Sequence, residues 1–515
     1  MEGVLNGFEL LPKDANIQSA EMHNYHSTTN PGAHASVEAV IRQEIADGNY
    51  VPVSSKPVIV SALGAVPKAD SQELRLIHDC SMPCSQGVNS YINITKEKFQ
   101  TVDDAVSLIG NNYFLAKVDL RHAYRSIPVH QANYPALGLK WKFKGDSSFS
   151  YLVDTRLPFR ASSAPGIFHR ITQAVKRMMA RRGHSSLVVY LDDFLVVGES
   201  EEACRATYDE LCSLLQQLGF QLSLSKLVPP TQKLVFLGIE FDTVTMSLAL
   251  PSDKLTDLQH VIHSFCSRTQ ATKRQLQQLA GKLNWACKVV YGGRTFLRRV
   301  LDLMNSLKHS SSRCRLTSEF GKDMEWWSCF LKQFNGKCDF LDNRLVTSLH
   351  TDACLFGVGA SYEGDWLYSY LPLDLLWLMP LPINYKEAIC VILAAIKWGV
   401  SWKNKTVIVR CDNTAAVAML NKGTTKHPLM MMFLRKLFWM SACYNFRLKA
   451  YHIPGVENIE ADHISRLHEP SHFIAFFNIL ANRFSDPGTL PAFLHMSCQC
   501  YEFLCQHYLH LSTLS

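Results

Sequence analysis

The sequence predicts an α+β multidomain chain, and three observations carry that reading. At 515 residues the chain exceeds what one hydrophobic core organises and suggests about three domains. Strand-like and helix-like patterns alternate twice, over about 113–241 and again over about 346–420. Between them runs a basic, mostly helical stretch at 255–307. A hydrophobic content of 47% and a charged content of 19% are ordinary for globular protein and exclude bulk disorder. The net charge of +7 leans toward a polyanionic partner.

Residues 1–36 are polar and mixed and read as a loose leader. A helix is predicted from Ser36 as N-cap to Asp47, closed by Gly48. Strands follow at Val58–Lys68 and Leu74–Asp79 around a turn at Ala69-Asp70-Ser71, then at Tyr113–Asp119. Ala164–Ala180 reads as a helix interrupted early by Pro165-Gly166, Ser200–Leu218 as an amphipathic helix ended by Gly219, and Val235–Phe241 as a strand. Pro251-Ser252-Asp253 opens the basic helical stretch, Gly292-Gly293 breaks it, and another helix spans Thr317–Phe334 before the turn signal Asn335-Gly336. The second pattern has strands at Val346–His350, Gly357–Tyr362, Trp366–Tyr370 and Thr406–Cys411, with helices at Tyr385–Trp402 and Asn413–Leu420. From 468 onward the pattern fades.

The sixteen cysteines show no CxxC pair, and Cys498, Cys500, Cys505 and His507 fit no standard zinc spacing. Nothing at the N-terminus reads as a signal peptide, and the longest apolar stretch, Trp366–Ile383, is broken by Asp374 and three prolines. An intracellular protein of cytoplasm or nucleus, not secreted and without a membrane partner, is the expectation.

Two adjacent acids, Asp192 and Asp193, interrupt the apolar runs Leu187–Tyr190 and Phe194–Gly198. Charges between buried strands are costly, and neighbouring carboxylates repel unless a divalent cation neutralises both. Asp119, ending an apolar strand, could complete a three-carboxylate site for two ions about 4 Å apart if its strand lies beside theirs. The competing reading is a polar hairpin turn, since Asp is an ordinary turn residue.

At these residues the chain resembles the reverse transcriptase of a retroelement. Tyr190-Leu191-Asp192-Asp193 resembles the family's Y-x-D-D box, and Asp119-Leu120-Arg121-His122-Ala123-Tyr124 its first catalytic motif. The resemblance implies a right-hand polymerase (fingers, palm, thumb), with Tyr124 as the steric gate against ribonucleotides. It implies Lys68 and Arg75 as fingers cations gripping the triphosphate, and Lys226 as a lysine able to protonate pyrophosphate. Val235-Phe236-Leu237-Gly238 resembles the primer grip. One position departs: Leu157-Pro158-Phe159 is followed by Arg160 where the family has Gly, and added bulk at the nascent base pair predicts impaired polymerisation.

Four later acids, Asp352, Glu387, Asp412 and Asp462, sit at predicted strand ends and helix starts. Singly each reads as a cap or a surface ion pair. Together with Thr351-Asp352-Ala353, Cys411-Asp412-Asn413 and His452-Ile453-Pro454-Gly455 they resemble the Asp-Glu-Asp-Asp set of ribonuclease H in an α/β ribonuclease H-like domain. The family's catalytic histidine would correspond to His452, although here it precedes Pro454.

The expected organisation is a leader at 1–36, fingers and palm at 37–250, a helical thumb and connection at 251–340, a ribonuclease H-like domain at 341–467, and a tail at 468–515 that reads as extraneous sequence after an interrupted frame. The expected activities are RNA-directed DNA polymerase and RNA–DNA hybrid ribonuclease, from a DIRS-like or Ty3-like retrotransposon. Each active site is expected to use two Mg²⁺ ions, Mn²⁺ being an alternative. The expected partners are RNA template, DNA primer, RNA–DNA hybrid and dNTPs, with the basic helices from Lys273 to Arg299 tracking phosphates. The rival is a degenerate relic or a co-opted nucleic-acid-binding protein, or one that retains only the nuclease.

Overall fold

The computed structural model describes residues 2–67, 74–94, 97–334, 337–339 and 345–483. The chain divides into two compact units at Ser247/Leu248.

In the first unit, helix α1 (Pro31–Ala46) starts earlier than Ser36, because the Asn30 side chain accepts from the Ala33 N–H at 2.9 Å and Pro31 occupies the first turn. The leader is not loose. Leu10 and Leu11 are buried, and Ala20–Glu21 pairs in parallel with Ile59–Val60. That pair edges a five-stranded sheet completed by Gly138–Trp141, Ser150–Asp154 and Tyr50–Val53. The single strand expected over Val58–Lys68 therefore splits: Ile59–Val60 joins this sheet, whereas β1 (Ala62–Pro67) forms an antiparallel hairpin with β2 (Leu74–Asp79). The expected turn at Ala69-Asp70-Ser71 lies outside the described residues.

The central sheet is built on β3 (Phe114–Arg121), whose Leu115, Ala116, Val118 and Leu120 are buried. Helix α2 (Ala164–Arg181) is not interrupted, because Pro165 sits in its first turn, where a missing N–H costs nothing. Strands β4 (Leu187–Tyr190) and β5 (Asp193–Gly198) form the expected hairpin, and β5 lies between β4 and β3, antiparallel to both. Helix α3 (Glu201–Gln217), capped by Ser200 and ended at Gly219, packs its Leu211, Leu214 and Leu215 into the same core. The strand expected at Val235–Phe241 is instead a hairpin, β6 (Lys233–Phe236) and β7 (Ile239–Asp242), because Leu237 and Gly238 both take positive φ, +50° and +78°.

The second unit opens with α4 (Ser252–Cys266), α5 (Lys273–Ala286), α6 (Arg298–Ser306) and α7 (Ser318–Phe334), with Gly292 at φ +76° where the break was expected. A five-stranded mixed sheet follows: β8 (Leu345–Ala353), β9 (Gly357–Tyr362), β10 (Asp365–Tyr370), β11 (Lys405–Cys411) and β12 (Arg447–His452), in the order β10-β9-β8-β11-β12. The first three are antiparallel neighbours; β8, β11 and β12 run parallel. Helix α8 (Ile383–Trp398) is buried along most of its length against this sheet, and α9 (Thr414–Lys422) and α10 (Pro428–Tyr444) complete the core.

Helix α11 (Ile459–Ser465) approaches β9 very closely. A Cβ on Gly359 would stand 2.3 Å from the Ser465 nitrogen, and one on Gly357 2.1 Å from the Ser465 oxygen. Glycine at these two strand positions is therefore a packing requirement. The fading pattern after 467 is also corrected. Helix α12 (Pro470–Arg483) buries Phe476 and Leu480 with Ile464, beside Trp366 and Tyr368, so residues 470–483 belong to the fold. Among the described residues no helix is long and apolar enough to cross a membrane.

Gly359→Val should unseat α11, since overpacking against backbone cannot be relieved by a rotamer change. Hydrogen exchange of amides 459–483 should accelerate while that of α8 stays slow, with a loss of about 1–3 kcal/mol in denaturant unfolding.

Candidate active sites

The register of the first unit sets Asp193 of β5 directly opposite Asp119 of β3. Cross-strand partners share a sheet face, so the two side chains point the same way. Asp192 occupies the two-residue turn between β4 and β5, after Leu191 at φ +54°, and its carbonyl accepts from the Leu120 N–H at 3.2 Å. Burial raises the Asp119 carboxyl above its usual range, with Asp193 adding to the rise and Lys226 opposing it. Burial, then Asp193, raises Asp192. Two lysines balance the group: Lys226 Nζ lies 3.3 Å from both Asp119 oxygens, and Lys117 Nζ 3.0 Å from Asp193 Oδ1. One buried and two half-buried acids that repel one another at a strand end and its tight turn suit divalent cations, so the residues fit such a group.

Asp119 and Asp192 line a cleft of about 1700 Å³ that also exposes Arg75, Tyr124, Phe159 and Lys226. Tyr124 is wedged between Phe159 and Phe168, with ring centroids at 5.1 and 5.3 Å. Burial pushes its hydroxyl up to about 12, so it stays neutral. The exposed Arg75 guanidinium lies 5.0 Å above the Phe159 ring. Lys68 lies outside the described residues. Arg160 is exposed, its carbonyl held by Asn89 Nδ2 at 3.0 Å, and its φ is not positive. The backbone there makes no demand for glycine, so the expected defect rests on side-chain bulk alone.

Sequence reasoning missed a buried network beneath this cleft. Asp154, fully buried, accepts from Arg125 Nη1 at 2.7 Å and sits 3.2 Å from His78 Nδ1, while Arg125 Nη2 reaches Glu44 of α1 at 2.6 Å. Burial alone would raise Asp154, but Arg125 and His78 outweigh it and hold the carboxyl low. Arg125 follows Tyr124 directly, so the network anchors the turn that carries Tyr124. The only signal in the sequence was that adjacency.

In the second unit Asp352 (5% exposed) lies near the end of β8 and Glu387 (2% exposed) on the first turns of α8. Glu387 Oε1 accepts from the Ala353 N–H at 2.9 Å, which holds the two acids side by side. Asp412 follows β11, and one oxygen of it lies within 4.8 Å of ligand atoms of Glu387 and Cys411. Asp462 arrives on α11, where Ser465 Oγ donates to Asp352 Oδ2 at 2.5 Å and Arg466 Nε to Asp462 Oδ1 at 2.8 Å. Burial pushes Asp352 up to about 6, with Asp412 and Asp462 adding repulsion against the Ser465 hydrogen bond. Burial, then Asp352 and Asp412, raises Glu387 well above the carboxylate range. All four acids thus converge, and the donor set is suited to hard divalent cations. His452 ends β12, exposed and in register with Cys411.

The basic helices are less available than expected. Arg299 is held by Asp323 at 2.7 Å and by Glu319, Arg298 by Asp302 at 2.6 Å, and Lys282 by Asp257. Lys273 is spent on the Leu307 carbonyl at 2.7 Å. Arg274, Lys288 and Arg294 remain exposed, so they, not the whole cluster, offer charge to a phosphate backbone.

Residues 66–241 match the family model described as Reverse transcriptase (RNA-dependent DNA polymerase), a stretch that contains Asp119, Asp192 and Asp193. The chain is 22% identical over 413 residues, 75% of its length, to the genome polyprotein of Petunia vein clearing virus (isolate Shepherd), of which it spans 17%. It is 24% identical over 182 residues to Protein P of Duck hepatitis B virus (strain China), of which it spans 22%. Among solved structures, the foamy viral protease-reverse transcriptase in complex with dsDNA matches at a TM-score of 0.52 and 16% identity, covering 87% of both chains. The same protein in complex with RNA/DNA hybrid matches at 0.54 and 15%, covering 86% of this chain and 56% of that one. At such identities the likeness is one of fold, that of a right-hand polymerase.

Asp352 supplies a pH test. Its folded pKa lies above the unfolded value, so its contribution to stability is full below about pH 4 and is lost as pH rises through 6. Without divalent ions, Asp352→Asn should therefore stabilise the chain by about 1–3 kcal/mol at pH 7.5 and by much less at pH 4. Urea unfolding at the two pH values measures it; an equal effect at both would contradict the raised pKa.

Proposed function

We propose that this chain, which carries a reverse transcriptase domain at residues 66–241, is a retroelement RNA-directed DNA polymerase with a fused RNA–DNA hybrid ribonuclease in its second unit. The observation that carries the polymerase reading is the β3–β5 register. It sets Asp119 opposite Asp193, beside a cleft shared by Asp192, Arg75, Tyr124 and Lys226. Asp119, Asp192 and Asp193 would hold divalent ions, Mg²⁺ in this reading and Mn²⁺ as the alternative, which would supply activation of the primer 3′-hydroxyl and charge neutralisation of the leaving pyrophosphate.

The chain's own residues supply the rest. Asp119 and Asp193 on paired strands, with Asp192 in the tight turn between β4 and β5, would hold the ions. Arg75, with Lys68, grips the triphosphate of the dNTP from the fingers, its guanidinium offering a fork to phosphate oxygens. Tyr124, fixed by Phe159, Phe168 and its neighbour Arg125, closes the space a 2′-hydroxyl needs. Lys226, 61% exposed at its side chain and 3.3 Å from Asp119, is positioned to donate a proton to pyrophosphate.

For the nuclease, support comes from the convergence of Asp352, Glu387, Asp412 and Asp462 on a mixed sheet of order β10-β9-β8-β11-β12. There the acids would hold two ions against the RNA strand of a hybrid, whose 2′-hydroxyl marks it. A DIRS-like or Ty3-like retrotransposon origin and an intracellular location belong to the same proposal.

Mg²⁺-dependent primer extension on an RNA template is the central test. Wild-type chain should extend, and Arg160→Gly should change the rate by less than about tenfold, since the backbone at 160 needs no glycine. Extension only after Arg160→Gly would mark a polymerase disabled at one contact; extension by neither would favour a relic or a nuclease alone. Asp192→Asn should lower incorporation by about 10³-fold or more while leaving hybrid cleavage within about twofold. Tyr124→Ala should raise ribonucleotide incorporation relative to deoxynucleotide, read by competing rNTP against dNTP on one template.

A further inference from the structure

Beside the acid cluster of the second unit, α11 and α12 bring together a different donor set. His463 and His472 face each other with Nδ1 atoms 2.9 Å apart and ring centroids at 5.0 Å. Asp462 Oδ2 lies 3.7 Å from His472 Nδ1. One donor atom from each of the three residues fits within 4.8 Å of the others, and all three are half-buried. We propose that Asp462, His463 and His472 form a binding site for a borderline transition-metal ion of the Zn²⁺ class, separate in chemistry from the all-oxygen sites for Mg²⁺.

The spacing argues for it. Ligand atoms about 2.0–2.1 Å from a tetrahedral Zn²⁺ stand about 3.3–3.4 Å from one another. The 2.9 and 3.7 Å separations bracket that value, and the third, between Asp462 and His463, is no more than 4.8 Å, so side-chain rotation without backbone movement can close the set. Two imidazoles and one carboxylate select Zn²⁺ or Co²⁺ over Mg²⁺, which prefers oxygen. The surroundings are arranged to match. Arg466 occupies Asp462 Oδ1 and leaves Oδ2 turned to the histidines. Glu469 Oε2 stands 3.7 Å from His472 Nε2, on the far side of the ring, where a carboxylate orients a metal-bound imidazole. The fourth position is left to solvent. His472 comes from α12, so the site exists only because residues 470–483 dock on the sheet.

The proposal does not rest on the nuclease reading. It does have a consequence there, since an ion on this site draws on the same Asp462 carboxylate.

The test is direct binding of Zn²⁺, and of Co²⁺ as a visible probe, to the full chain without added Mg²⁺, which would compete for Asp462. One equivalent should bind, with a Co²⁺ ligand-field band. Affinity should fall by at least about tenfold in His463→Ala, His472→Ala and His472→Gln, each with an unchanged circular dichroism spectrum and melting temperature. Absence of binding by the wild-type chain overturns the proposal. So does unchanged affinity in the histidine variants. Loss on Cys411→Ser in their place would also overturn it, because Glu387, Cys411 and Asp412 form the neighbouring cluster.

Discussion

Both candidate sites depend on one constraint: carboxylates must be held within a few ångströms of one another where water cannot fully screen them. Left on flexible loops, such groups would separate, since repulsion between like charges is relieved by small motions. Each unit resists that relaxation with backbone. In the first, the antiparallel ladder between β3 and β5 locks Asp119 opposite Asp193. A slip of one residue would turn one acid to the opposite face. In the second, Glu387 is tied to the Ala353 amide and α11 is pressed onto β9 through two glycines, so three separate elements cannot drift apart independently.

The two sites differ in how the charge is balanced. Around Asp119, Asp192 and Asp193 the protein supplies Lys117 and Lys226, and the site opens into a large cleft. This suits the proposed polymerase, whose centre would admit a triphosphate and release pyrophosphate. Around Asp352 and Glu387 burial dominates, and Arg466, the cation that opposes it at Asp352, is held on Asp462. Their protonation is therefore the more sensitive to whether cations are bound. Beneath the first cleft, the Asp154–Arg125–Glu44 network serves neither role. It joins α1 to the turn that carries Tyr124.

Much of this was legible before any coordinates. Asp192 and Asp193 stood out because charge inside an apolar run is expensive, and the hairpin around them formed as read. What failed has particular causes. Val235–Phe241 read as one strand because a Leu-Gly turn carries no polar signal; only the positive φ of Leu237 and Gly238 reveals it. The 1–36 leader reads as loose and the pattern after 468 as fading because their burial comes from partners distant in sequence: Ile59–Val60 for one, Ile464 and Tyr368 for the other. Helix α10 and the strands Gly138–Trp141 and Ser150–Asp154 went unread because periodicity alone does not separate a buried helix from a buried strand. The basic helices looked like a phosphate track, yet ion pairing is a property of neighbours and not of composition.

By itself the sequence determined which residues are candidates for the chemistry: seven carboxylates at the ends of apolar runs or the starts of helices, an aromatic five residues after Asp119, and a fold class set by alternating periodicities. Those are local properties, governed by desolvation cost and repeat, and they are readable along the chain. The tertiary structure decided which of them meet, through the register of β3 on β5 and the close approach of α11 to β9. It also decided which cations remain exposed and that His472 joins His463. Such pairings depend on distances between segments tens to hundreds of residues apart, and only packing in three dimensions sets them.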